Sequence, residues 1–283
     1  MHPISLGSAR QNAIQAGGFR GAATETGRMA SLDLTRLEFC RDDELGYGRS
    51  RTRFAAGAGL TLDENYRFAH LPLVAPDHPE VIAVRQGGQP SAAYAMGRHA
   101  LINSLVLPIP AEALEQSEAY RTLDREMRAA PFGRKIAWDM LPRRREKLHA
   151  TICGGLGEQG LGESDRRALA GFGPVGVELR GLFSGNINLG RLYLRAYPER
   201  REGGNAFRQI QRMLGRDETE IYVIGLYNLT DHLSAAEAAA LSDLIDRWWD
   251  RPILRFEADC LWLLASADDL VLDSAVIETL ALR

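Results

Sequence analysis

The stretch Lys147-Leu148-His149-Ala150-Thr151-Ile152-Cys153 decides how this chain is read. Its apolar residues recur with a period of two, which predicts a short strand. Leu148, Ala150 and Ile152 point toward a core, while His149, Thr151 and Cys153 point the other way. Gly154 and Gly155 end the strand and open a Gly-rich loop. An imidazole and a hydroxyl two residues apart on one strand share a face, so both reach the same small ligand. The plainer alternative is a polar-faced edge strand with an incidental His.

Upstream, Leu101 to Leu107 reads as an apolar strand closed by Pro108 and Pro110. Pro110 suits the first turn of a helix, where its missing N–H costs nothing. That helix is expected to run to about Ala129, with Leu114, Tyr120, Leu123 and Met127 as its buried stripe. Ile136, Trp138 and Met140 alternate with Lys135, Ala137 and Asp139, which predicts another strand. The turn Arg143-Arg144-Arg145 then leads into the His149 strand, either as solvated charge or as a phosphate contact.

Downstream, a short helix is expected from a Ser164 cap through Ala170, then a strand containing Val175, Val177 and Leu179. In Arg191-Leu192-Tyr193-Leu194-Arg195-Ala196-Tyr197, Leu192, Leu194 and Ala196 form an apolar face and Arg191, Tyr193, Arg195 and Tyr197 form the other. A helix from about Asn205 to Leu214, closed by Gly215, precedes a strand over Glu220–Leu229. Ser234-Ala235-Ala236-Glu237 is a capping box that opens a helix to about Trp249. Ile253–Leu264 reads as one long strand, and Leu270–Leu282 is expected to finish the sheet.

From residue 100 onward these elements form two copies of a strand–helix–strand unit. The expected fold is α+β: duplicated, two-lobed antiparallel sheets with helices on their outer faces and a central cleft. Residues 1–30, rich in Ala, Gly, Ser and Arg, read as a flexible arm. Residues 31–99 read as an extension of unassigned role, and residues 100–283 as the main domain.

Composition limits the function classes. The net charge of −3 over 283 residues gives no global attraction to nucleic acid or acidic membranes, so any such contact needs a local basic patch. Cys40, Cys153 and Cys260 are scattered and odd in number, with no CxxC pair, which argues against a disulfide framework or a structural zinc site and favours a reducing, cytoplasmic setting. No apolar run is long enough to span a bilayer, and the first residues lack the pattern of a secretory leader. Gly154-Gly155-Leu156-Gly157 lacks the strand-to-helix context of a dinucleotide site.

Three features together resemble the two-histidine (2H) phosphoesterases, the superfamily of RNA 2',3'-cyclic phosphodiesterases and 2'-5' RNA ligase-like proteins. Leu148-His149-Ala150-Thr151-Ile152 looks like their first His-x-Thr strand. Asn103-Ser104-Leu105-Val106-Leu107-Pro108 looks like their opening strand, and the duplicated element order looks like their two lobes. The resemblance covers about residues 100–283. It implies a metal-independent phosphodiesterase, with no cofactor, acting on a cyclic nucleotide or an RNA-end phosphodiester. His149 would be a general acid or base, and Thr151 would hold the phosphate.

The departure lies in the second motif. The partner strand carries no second imidazole. Distance to the Ser234 cap points to Tyr222 and Ile224 for the His and Thr positions, whereas residue type points to Asn228-Leu229-Thr230. By parity these positions share one face. Tyr222 is the candidate acid, and its ordinary pKa near 10 makes it a poor base. Arg191 and Arg195 are candidates for holding phosphate, Tyr193 for stacking a base, and Asn228 and Thr230 for further ligand contacts. Two alternatives stand beside hydrolysis. One is a catalytically degenerate nucleotide- or RNA-binding module that uses the same cleft. The other is an unrelated α+β protein in which His149 is structural and does not face the Arg191–Tyr197 strand.

Overall fold

Two alternating segments, Arg98–Pro108 (β1) and His149–Leu156 (β2), pair antiparallel with Val106 opposite Thr151. They belong to an eight-stranded antiparallel sheet with Val175–Ser184 (β3), Arg191–Pro198 (β4), Val223–Asn228 (β7), Pro252–Ala258 (β8), Cys260–Asp268 (β9) and Ser274–Ala281 (β10), in the order β10-β9-β1-β2-β7-β4-β3-β8. Arg200–Arg201 (β5) and Gly204–Asn205 (β6) form a separate small ribbon. The computed structural model describes residues 32–81, 94–157 and 160–283, and Ser31–Arg283 forms one unit. Residues 1–30, read as a flexible arm, lie outside the described residues.

The fold is α+β, and its strand order divides into two four-stranded halves, β10-β9-β1-β2 and β7-β4-β3-β8. They meet where β2 and β7 pair at Ala150 and Ile224. The stretch read as one long strand is instead β8 and β9, separated by Asp259 alone. β8 sits at one edge of the strand order and β9 beside the other. Adjacent residues lie only ~3.8 Å apart, so the sheet must curl until these edges approach each other.

The helices are Tyr47–Ser50 (α1), Glu64–Ala69 (α2), Leu71–Val74 (α3), Ala111–Gln116 (α4), Glu118–Ala129 (α5), Met140–Arg144 (α6), Glu163–Ala170 (α7), Ala206–Met213 (α8) and Ala235–Trp248 (α9). The single helix expected over 110–129 is broken at Ser117, whose hydroxyl accepts the Tyr120 N–H and caps α5. The strand expected over 135–140 does not form. Ile136 makes only an isolated bridge to Leu229, the Trp138 indole donates to the Gly133 carbonyl, and Met140 starts α6. In α9, the reciprocal Ser234–Glu237 cap expected from the sequence is present.

Residues 38–62 pack on the second half of the sheet. The Cys40 N–H donates to the Pro198 carbonyl, and Thr52 N–H to that of Ser184. The buried Tyr47 hydroxyl lies within hydrogen-bond reach of the Ala196 and Tyr222 carbonyls. One face of this half was expected to stay uncovered. Instead every β4 residue after Arg191 is buried, because this N-terminal segment and Trp249 cover the Arg195–Tyr197 end.

Candidate functional site

The polar face of β2 opens into a cavity of about 390 Å³. From the first half of the sheet come His149, Thr151, Ser104 and Ser266, and from the second Arg191, Tyr193, Val223 and Gly225. His149 therefore faces the Arg191 strand, the opposite of the arrangement in which it is merely structural. The turn after β9 contributes Asp268, Asp269 and Val271.

The register across the centre of the sheet identifies the counterpart of His149-Ala150-Thr151. Ala150 pairs with Ile224, so Val223-Ile224-Gly225 occupies the equivalent stretch of β7. Gly225 lies across from His149 and Val223 across from Thr151. This is one residue away from the Tyr222–Ile224 register, and a one-residue slip moves every side chain to the other face. Tyr222 accordingly points to the helix layer. It is fully buried, its ring meets Phe207 edge-on at 4.9 Å, and its hydroxyl donates to the Thr219 carbonyl at 2.8 Å.

Shared parity along β7 fails as well. Leu192 pairs with Tyr227 but Tyr193 pairs with Gly225, so Leu226 is an extra, bulged residue. The bulge puts Asn228 on the Arg191 side, opposite to Tyr222, where it is buried beside the Tyr66 phenol. Asn228 does not line the cavity, and neither does Thr230, whose hydroxyl donates to the Lys135 carbonyl at 3.2 Å. Arg195 is also away from it, fully buried 3.8 Å over the Trp249 ring and bonded to the Tyr197 hydroxyl.

Arg191 lies where a side chain on Gly225 would be. A Cβ built on Gly225 falls 2.2 Å from Arg191 Nη2 and 2.4 Å from its Cζ. The missing side chain gives the guanidinium its seat. A second guanidinium reaches the same glycine from α6: Arg144 is 2% exposed, its Nη2 donates to the Gly225 carbonyl at 3.0 Å, and its Nε to that of Leu270 at 2.8 Å. Arg144 Nη1 and Arg191 Nε are buried with no hydrogen-bond partner, and neither side chain forms an ion pair among the described residues. Buried charges are normally paired, so two unpaired guanidiniums beside a cavity make it receptive to an anion.

Arg144 entered the sequence reading only as part of the Arg143-Arg144-Arg145 turn, and the fold singles it out from its two neighbours. Had Met140–Arg144 been read as a helix, the i,i+4 spacing would have put Arg144 on the buried Met140 face. Asp269, His99 and the two serines carry no motif and enter the site only through the fold.

His149 Nδ1 lies 2.8 Å from the Lys147 carbonyl, which can only accept, so this nitrogen carries the hydrogen. In the neutral ring Nε2 then keeps its lone pair. Burial pushes the imidazole down to about 4, and the Arg144 and Arg191 charges act in the same direction against the Lys147 hydrogen bond. Burial also holds His70, whose Nε2 lies 3.8 Å from Asp269, well below its ordinary value.

These shifts set a pH dependence. The unfolded chain binds a proton at His149 near 6.5, the folded chain only near 4. Between those values the unfolded state holds more protons, so the stability associated with neutral His149 is lost as pH falls from about 6.5 to about 4. Urea unfolding over that window is expected to show a steeper loss for the wild type than for His149→Gln. Parallel curves would refute it.

Comparison with known proteins adds little to this geometry. No family model matches the chain, and no curated protein does. Among solved structures it is similar to TT0787 of Thermus thermophilus, at 17% identity, covering 64% of this chain and 98% of that one with a TM-score of 0.38. No helix of the described residues is long and apolar enough to cross a membrane, and none of their His, Cys, Asp and Glu form a cluster suited to a metal ion.

Proposed function

We propose that this chain is a cytoplasmic phosphate-recognising protein with a cleft of the two-histidine phosphoesterase type, which binds a nucleotide or RNA-end phosphate but lacks the imidazole pair for efficient hydrolysis. The observation that carries the proposal is the central register. Val223-Ile224-Gly225 stands opposite His149-Ala150-Thr151, and the Arg191 guanidinium fills the space over Gly225. A cation thus sits beside the position of the missing second hydroxyl. Arg191 and Thr151 would hold the phosphate oxygens, His149 would contact the same group, and Arg144 would add positive charge from below.

A second reading, hydrolysis with His149 alone as proton acceptor, is favoured by one feature: the Lys147 carbonyl fixes the tautomer that leaves Nε2 free. General acid–base catalysis is typically worth about 10²–10⁴-fold, so the absence of one partner is a large deficit.

Titration with a panel of 2',3'-cyclic nucleotides and nucleoside monophosphates separates the two. Binding without turnover is expected, with affinity lowered about 10- to 100-fold in Arg191→Gln, the range for a hydrogen bond to a charged group. Turnover that disappears in His149→Ala would establish the second reading instead. No binding anywhere in the panel would reject both.

A further inference from the structure

We infer that the ligand is a nucleoside monophosphate, bound with its phosphate at Arg191 and with a hydrogen-bond donor of its nucleoside part on the Asp269 carboxylate. This rests on the anion-binding reading above and adds the ligand's other end.

The cavity lining carries both signs of charge. Arg191, His149 and Thr151 line it where β2, β7 and β4 meet, and the turn joining β9 to β10 supplies two carboxylates. These two differ in what they have left to offer. Asp268 is 2% exposed, and its oxygens accept the N–H groups of Leu270, Leu272 and Asp273 at 2.9, 3.1 and 2.7 Å. It is consumed in building the turn. Asp269, next to it, keeps a side chain 29% exposed toward the cavity. Its Oδ2 accepts the Tyr94 hydroxyl at 2.8 Å and lies 3.8 Å from His70 Nε2, and its Oδ1 lies 3.4 Å from His99 Nε2. A carboxylate has about four acceptor sites, so capacity remains beside these three neighbours.

A ligand that is anionic throughout would be drawn to Arg191 and repelled by Asp269. One that is negative at one end and donating at the other satisfies both. Ile102, Leu264, Val271 and Tyr193 give the same cavity apolar and aromatic walls, which suit the rings of a nucleoside. Its volume of about 390 Å³ falls in the range of small-molecule sites. Either a ribose hydroxyl or an exocyclic base amine supplies the required donor.

Calorimetric titration of the full chain tests this with AMP, 2',3'-dideoxy-AMP, IMP and inorganic phosphate against wild type, Asp269→Asn and Arg191→Gln. AMP is expected to bind wild type at least about tenfold more tightly than phosphate. Asp269→Asn is expected to weaken AMP about tenfold and to leave phosphate nearly unchanged, while Arg191→Gln weakens both. A drop for dideoxy-AMP assigns the donor to the ribose, and a drop for IMP assigns it to the base. The proposal is overturned if AMP binds no better than phosphate, if both analogues bind wild type as well as AMP does, or if Asp269→Asn weakens both ligands equally. The ligand series on wild type decides the matter even if that variant fails to fold. If phosphate binds and responds to Arg191 while these differences are absent, the inference fails and the anion-binding reading survives. If neither AMP nor phosphate binds wild type, both fall.

Discussion

Gly225→Ala is expected to cost the cleft most of its phosphate affinity while sparing the fold. The new Cβ falls 2.2 Å from Arg191 Nη2 and 2.3 Å from Nε, so the guanidinium has to leave. The three nearest atoms to that Cβ all belong to the far end of the Arg191 side chain, which can swing away without moving a strand. Gly225 sits in β7 with no positive φ, so alanine suits its backbone. Hydrogen bonds to charged groups are worth about 1.5–3 kcal/mol, which converts to a loss of roughly 10- to 100-fold. Titration with AMP alongside a thermal melt checks both halves. Wild-type affinity in this variant would mean that Arg191 is not what holds the anion.

Arg195→Ala should do the reverse. Arg195 was grouped with Arg191 because both lie on the same face of β4, yet its surroundings are those of a structural group. It is fully buried, donates to the Trp249 carbonyl and the Tyr197 hydroxyl, and stacks 3.8 Å over the Trp249 ring. Asp42 completes the cluster, accepting from Tyr197 at 2.5 Å and from the Trp249 indole at 2.8 Å. Removing the cation leaves that carboxylate partly buried without its counter-charge, and it opens a void under the N-terminal segment. Breaking a buried pair in this way typically costs about 3–5 kcal/mol. For a unit of this size the midpoint of thermal unfolding should fall by roughly 6–9 °C. Phosphate affinity below the transition should be nearly unchanged. A melting point within a few degrees of wild type, or a loss of affinity without a loss of stability, would contradict this assignment.

These two arginines show what was legible in the chain. Period-two alternation identified β2 and β4 and put His149, Thr151, Arg191 and Tyr193 on faces that share one cavity. The second motif was not legible, because pairing register is a relation between strands. The Ala150–Ile224 pair selects Val223 and Gly225, and the bulge at Leu226 breaks the parity on which Tyr222, Asn228 and Thr230 were grouped. Which arginine of the Arg143-Arg144-Arg145 turn is buried was not legible either: alternation around Ile136–Met140 suggests a strand, and tertiary contacts impose a turn and a short helix there.

Local pattern alone determined the α+β class, the His149 strand, the duplicated order of elements and the Ser234–Glu237 cap, because each depends on residues close together in the chain. Only the tertiary structure decided that residues 38–62 cover one end of β4, that β8 and β9 link opposite sides of the sheet through Asp259, and that Arg191 and Asp269 line one cavity with Arg144 bonded to the Gly225 carbonyl beside it. Those outcomes depend on which distant groups can be buried together without leaving charge or backbone unpaired, and a short window of sequence holds no record of that balance.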